Sequence, residues 1–246
     1  MMPLLLLAAA AAASDLTICP DRPSKANGAC TVPVGHWQLE ASAIDWTHSP
    51  GTDIWSTGQT FVKLGLSGSS DIEVGWTPYS SVRQPGPDAS GVGDAVVRYK
   101  QRLTDPDAKV QAALIPFVKV PTANHSIGNG KVEGGVAVPL SAPLGSLTLT
   151  LGPEVDLLAD VDGHGYHPAV TNLVNLGWGP SSRLSLSAEL WNNVNFDPFA
   201  TVRQWSADGS AAYLASKRTQ IDAGANFGLN RATPDVELYG GVSVLF

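Results

Sequence analysis

Apolar and polar positions alternate along most of the chain after residue 34. In 145–160, GSLTLTLGPEVDLLAD, Leu147, Leu149, Leu151, Val155 and Leu157 share one parity, and Thr148, Thr150, Glu154 and Asp156 share the other. A period of two sends successive side chains to opposite faces, so this is a strand with one apolar and one polar side. In 219–229, Ile221, Ala223, Ala225, Phe227 and Leu229 oppose Gln220, Asp222 and Asn226. In 235–246, Val236, Leu238, Val242, Val244 and Phe246 oppose Glu237, Tyr239, Gly241 and Ser243. Extending the pattern predicts strands over 34–46, 54–67, 70–79, 91–104, 108–121, 131–141, 145–160, 168–178, 182–192, 201–215, 219–229 and 235–246. Most of these reach the roughly nine to eleven residues that a tilted membrane strand needs.

The connections sort by parity as well. Every second one is tight: Gly68-Ser69-Ser70, Asp105-Pro106-Asp107, Ala142-Pro143-Leu144, Gly179-Pro180-Ser181 and Ser216-Lys217-Arg218. Those between, such as 80–90, 122–130, 161–167 and 193–200, are longer, although 230–234 is short. Tight turns at one end and long loops at the other are the asymmetry of outer-membrane barrels, whose short side is periplasmic. On that footing Trp37 and Trp178 fall at the periplasmic rim, and Trp46, Trp55, Trp76 and Trp191 at the outer one, as interfacial girdles require. The expectation is an all-β, closed, antiparallel up-and-down transmembrane β-barrel of about twelve strands, in the outer membrane of a Gram-negative cell.

The opening MMPLLLLAAAAAAS is an apolar run ending in small residues and is predicted to be a signal peptide over 1–13, although no Lys or Arg precedes it. It is too short to span a bilayer as a helix. A periplasmic segment is expected over 14–33 and the barrel over 34–246. LTIC at 16–19 has a bulky Ile18 where a lipoprotein cleavage box takes a small residue, so lipidation is not the reading. Cys19 and Cys30 can close a short loop by a disulfide. The other use of that pair, a metal site, has only His36 nearby.

Apolar residues are 43% of the chain and charged residues 15%, with 25 Gly and 18 Pro, a balance that suits many turns and a lipid-facing surface. The net charge of −7 argues against a nucleic-acid partner. The polar parity carries Glu40, Lys63, Glu73, Arg98, Lys100, Arg102, Lys119, Glu133, Glu154, Asp156, Arg183, Glu189, Asp222 and Glu237. On the lipid face a charge costs up to about 2–4 kcal/mol at the bilayer midplane, so this mixed-sign set belongs in the lumen. There it either selects permeants or stiffens the interior, and a barrel of this size does not decide between them. Unbroken parity also turns Trp46, Trp55 and Trp191 inward at the outer mouth, with Phe61, Phe117 and Tyr239 inward lower down, a lining that suits flat apolar solutes. The alternative is that these rings are filler, or that a bulge returns the tryptophans to lipid.

The end of the chain, NFGLNRATPDVELYGGVSVLF, resembles the final hairpin of outer-membrane barrels, with Phe246 as the terminal aromatic read by barrel-assembly machinery. GVGDAVVRYKQRL at 91–103, PFVKVPTA at 116–123, CPDRP at 19–23 and GHWQLE at 35–40 resemble the family of meta-pathway phenol-degradation proteins or transporters. The resemblance implies an outer-membrane barrel that moves small, aromatic compounds.

Enzymatic chemistry is not expected. His36 lies at a strand start, and His48, His125, His164 and His167 fall in predicted loops, none beside a Ser on a strand face, whereas nucleophilic catalysis needs an oriented base. Asp160, Asp162, His164 and His167 are the best metal candidates by spacing, but Asp and Gly are also ordinary turn residues, and the solvated-loop reading is preferred. Gly91-Val92-Gly93-Asp94 precedes a strand and is no phosphate loop. No cofactor is expected, and the partners are outer-membrane lipid, the assembly machinery and an unidentified small permeant. The sequence supports a passive channel, with a plugged structural or surface-interaction barrel as the alternative and a membrane hydrolase behind both.

Overall fold

The structure is a computed structural model that describes residues 16–246; the predicted signal peptide lies outside the described residues. Its strands are β1 (Trp37–Ser49), β2 (Thr52–Thr57), β3 (Thr60–Ser67), β4 (Ser70–Trp76), β5 (Tyr79–Arg83), β6 (Ala89–Gly91), β7 (Ala95–Arg102), β8 (Gln111–Val120) and β9 (Glu133–Ala137). They continue with β10 (Leu140–Leu144), β11 (Leu147–Leu151), β12 (Glu154–Ala159), β13 (Tyr166–Trp178), β14 (Leu184–Phe196), β15 (Thr201–Ser216), β16 (Thr219–Gly228) and β17 (Val236–Leu245). Five pairs are single wall-spanning strands with one interruption: β2–β3, β4–β5, β6–β7, β9–β10 and β11–β12. Three of the interruptions hold a proline, Pro78, Pro139 and Pro153, which has no N–H for the ladder. Twelve spanning strands therefore run antiparallel to their neighbours, and β17 pairs back onto β1 from Gln38↔Leu245 to His48↔Val236. The sheet is a closed up-and-down barrel with no free edge.

Its faces are inverted relative to a water-soluble domain. Val74, Val155, Leu157, Val174, Leu190, Ile221 and Leu238 are exposed on the outside, while Gln38, Glu73, Lys100, Asn175, Glu189, Asp222 and Ser243 are buried inside. A continuous apolar outer wall is what a lipid-facing barrel presents.

Two details differ from the sequence reading. The hairpin placed at Ala142-Pro143-Leu144 turns instead at Gly145-Ser146, where Gly145 takes φ +63°, a conformation that strongly favours glycine. The sorting of loops is also looser, since the long-loop end includes the two-residue turn Pro50-Gly51 and the short-turn end includes 103–110.

The alternation itself reverses in one sector. Ala43 is an extra residue in β1 relative to β17, because Ser42 pairs with Gly241 and Ile44 with Gly240. Ser42 faces in, yet Asp45 opposite the inward Tyr239 also faces in, and Trp46 opposite the exposed Leu238 faces out. The neighbouring strands reverse in step: Phe61 and Ser56 both face in across Gly58, and Gly75 and Ser80 across Pro78. A bulge in one strand is thus carried through the ladder by its neighbours.

The candidate functional site: a lumen threaded by the N-terminal segment

Residues 16–33 do not lie outside the barrel, as the assignment of 14–33 to a periplasmic segment expected. They fold into its interior at the end that carries the chain termini, and the exposed Val34 then bridges to Gly65 at the rim. Cys19 and Cys30 are joined by a disulfide with Cα atoms 5.9 Å apart, closing this segment into a loop. Ala29 packs against Ala113, Ile115 and Ala137, and Ile18 and Val32 pack against Leu245. These small apolar contacts hold little area, so most of the grip is polar.

Asp21 sits at its centre. Its carboxylate accepts from Lys63 Nζ at 2.5 Å and from Lys100 Nζ at 2.6 Å, while Glu40 accepts the backbone N–H groups of Asp21 and Arg22. Burial pushes the Asp21 carboxyl up, but the Lys100 and Lys63 ammonium groups outweigh it and hold it well below the usual carboxylate range. Glu73, wholly buried, lies 3.6 Å from Lys63 and 3.4 Å from Lys100. Arg22 donates to Asp222 at 2.8 Å and to Ser42 at 2.6 Å. Lys25 donates to Asp208 at 2.7 Å and lies over the Trp191 ring, 5.0 Å from its centre. The N–H groups of Ala26 and Val32 donate to Glu189 and Asp71, and Gln38 brackets the backbone of Cys19 from both sides. Buried charges are tolerable when paired and hydrogen-bonded in this way.

Of the charges assigned to the lumen, Glu40, Lys63, Glu73, Lys100, Glu189 and Asp222 grip the segment or its ion cluster. Arg98, Glu154 and Asp156 line open space beyond it. Lys119 bridges Asp94 at 2.8 Å and Glu133 at 2.9 Å near the far mouth. Glu237 accepts from Asn226, and Arg102 donates to the carbonyl of Gly68 at the terminus-side rim. Arg183 is a correction: it is exposed in the turn before β14, one residue short of the wall. Asp21, Arg22, Lys25, Asp71 and Asp208 were missed. The first three lie in a segment with no periodicity, and Asp208 sits where Ala, Gly and Ser blur the alternation of β15.

Among the aromatics, Trp191, Phe61, Phe117 and Tyr239 face the lumen, with Arg98 stacked 4.3 Å from the centre of the Phe61 ring. Trp46 and Trp55 do not. They pair across β1 and β2 on the outer face, with ring centres 5.8 Å apart, because the bulge at Ala43 reverses the parity on which the inward assignment rested. Trp37, Trp76 and Trp178 are exposed outside as expected. Phe246 follows β17, its N–H donating to the carbonyl of Trp37.

The candidate metal loop rearranges. Asp162 accepts the N–H of His164 within the loop, and His167, buried on β13 and not in a loop, lies 2.8 Å from Asp160 and 3.6 Å from Asp197. Asp197 already accepts the N–H groups of Phe199 and Val161, so the trio ties two neighbouring loops together.

Two cavities flank the interior segment. One of about 430 Å³ lies beyond it, lined by Lys25, Arg98, Glu154, Asp156, Leu173 and Trp191 among others. The second, about 420 Å³, lies between Pro20–Ser24 and the serine- and threonine-rich wall of Thr148, Ser185, Ser187 and Ser210.

The fold is similar to the COG4313 outer membrane channel from Pseudomonas putida F1, with TM-score 0.69 at 13% identity, covering 92% of this chain and 99% of that one. It is also similar to the NanC porin, with TM-score 0.59 at 9% identity, covering 85% and 98%. Among curated proteins none matches the sequence. The family described as "Putative MetA-pathway of phenol degradation" matches residues 20–246, nearly the whole described barrel with its interior segment, and the chain belongs to that family.

Proposed function

We infer that this chain is a passive outer-membrane passage for small solutes, narrowed by its own N-terminal segment. The observation that carries the reading is the pair of polar-lined cavities on either side of that segment, within a wall whose outer face is apolar. The segment is gripped by β1, β3, β4 and β7 and, through Arg22, Lys25 and Ala26, also by β14, β15 and β16, leaving open the space between Pro20–Ser24 and the terminus-side ends of β11, β13, β14 and β15. Ser146, Thr148, Ser185, Ser187 and Ser210 could hydrate a solute along that side without binding it tightly. Similarity to a solved outer membrane channel supports the reading. The extent of the ion-paired grip favours one rival, a barrel permanently stoppered for a structural role.

Single-channel recording and liposome swelling on the refolded protein separate the two. A passage gives small discrete conductance steps and swelling with solutes of a few hundred daltons or less. Silence in both assays, from the parent and from a variant in which Lys63 and Lys100 are replaced by Met, would establish the stoppered barrel.

A further inference from the structure

Arg98 stands apart from the other inward cations. Arg22, Lys25, Lys63, Lys100 and Lys119 each form an ion pair, and Arg102 donates to a carbonyl. Arg98 forms neither an ion pair nor a hydrogen bond with the described residues, and the Glu154 carboxylate acts on it only through space. The carboxylate facing it across the ladder, Glu73, is shared by Lys63 and Lys100. The guanidinium lies over the Phe61 ring. It borders the 430 Å³ cavity and also a smaller one of about 200 Å³; Nε is occluded and unpartnered, and the terminal nitrogens are the donors left for those spaces. A guanidinium seated on a ring with unused terminal donors is a fork suited to a carboxylate.

The same register row carries the complementary chemistry. Arg98 pairs with Phe117, Phe117 with Gly135, and Gly135 with Asp156, so Arg98 and Asp156 stand in one row three strands apart. Three strand spacings are about 14 Å along the wall, so the two groups meet the cavity they both line from well-separated strands. Gly135 has no side chain, and the Phe117 ring and the Asp156 carboxylate lean over it. Oδ1 of Asp156 is occluded over Gly135 and accepts no hydrogen bond, Oδ2 is the oxygen left for the cavity, and Glu154 lies against the same carboxylate. Trp191 and Leu173 close the cavity from the far side. Its volume lies within the roughly 300–1,000 Å³ of small-molecule sites.

We propose that this cavity is a binding site for a flat aromatic acid bearing a hydrogen-bond donor opposite its carboxylate, a hydroxybenzoate-like solute. Arg98 takes the carboxylate, the Asp156 and Glu154 carboxylates accept from the hydroxyl, and Trp191 covers the ring. The proposal deepens the passage reading and rests on it only for the route by which the solute arrives.

Calorimetry on the full refolded protein tests the site with 4-hydroxybenzoate, 4-hydroxybenzamide and benzoate. The parent should bind 4-hydroxybenzoate at least about tenfold more tightly than either of the others. Arg98→Gln should remove the preference over the amide, and Asp156→Ala the preference over benzoate, each leaving the other preference in place. Equal affinity of the parent for all three overturns the proposal without recourse to a variant, as do preferences that survive both substitutions. Swelling assays on the same preparations keep the two readings apart. Discriminating binding without swelling by any solute refutes the passage and leaves the site. Swelling by neutral solutes without discrimination refutes the site and leaves the passage.

Discussion

The Nζ of Lys100 lies 2.6 Å from each carboxylate oxygen of Asp21, across 79 residues of sequence, and this contact fastens the interior segment to the barrel wall. A carboxyl group whose folded-state pKa is depressed contributes stability above its unfolded value near 3.8, and the contribution is lost only as pH falls through the lower folded value. The Asp21 contact is therefore the same at pH 4.5 as at pH 7. Asp21→Asn should enlarge the single-channel conductance severalfold at pH 7. An unaltered conductance in the variant would assign the grip to Arg22 and Lys25.

The outward turn of Trp46 and Trp55 separates them in function from Trp191. Replacing both with Ala should leave the swelling rate for a small aromatic solute within about twofold of the parent. Trp191→Ala should change it, because this ring stacks on Lys25 and lines the cavity. The reverse result would return Trp46 and Trp55 to the lumen.

These tryptophans also mark how far a sequence can be read. Twelve strands were legible because lipid outside and polar groups inside impose a period of two on almost every strand. Even 168–178 and 201–215, where Ala, Asn and Gly blur the alternation, form the continuous strands β13 and β15. Parity, however, counts from a fixed start, and one extra residue inverts everything beyond it. Ala43 carries no turn chemistry, so nothing in ASAIDW announces the bulge. The interior segment was illegible for a different reason: its partners are scattered single residues such as Lys63, Lys100, Asp208 and Asp222, and no local pattern records a contact of that range.

Gly75 provides a test of the seat beneath Arg98. A Cβ at this position would run into the Phe61 ring, the ring on which the guanidinium rests. Gly75→Val should lower barrel stability by about 1–3 kcal/mol, read as an earlier loss of the heat-modifiable band on warming. Adding Phe61→Ala should recover much of that loss by freeing the space. Additive destabilisation in the double variant would mean that the ring does not fill the glycine's place.

Topology fixes which connections face the medium. Cys placed at Asp88 or Asn129 lies at the long-loop end, and Cys at Ser69 or Asp107 at the end with the termini. In intact cells a membrane-impermeant maleimide should label the first pair alone. Labelling of both pairs, or of the second alone, would reverse or abolish the assigned orientation.

The ion pairs of the interior segment also dictate an order of assembly. Arg22 waits for Asp222, 200 residues further on, and Asp21 waits for Lys100. β1 and β17 must meet before the lumen exists, so residues synthesised among the first gain their partners among the last, against the chain entropy that long-range closure carries. Until then Asp208 and Asp222 are open charges on an unfinished sheet. The early segment is thus a seal on completed work, and a barrel that carries it in place has already finished closing.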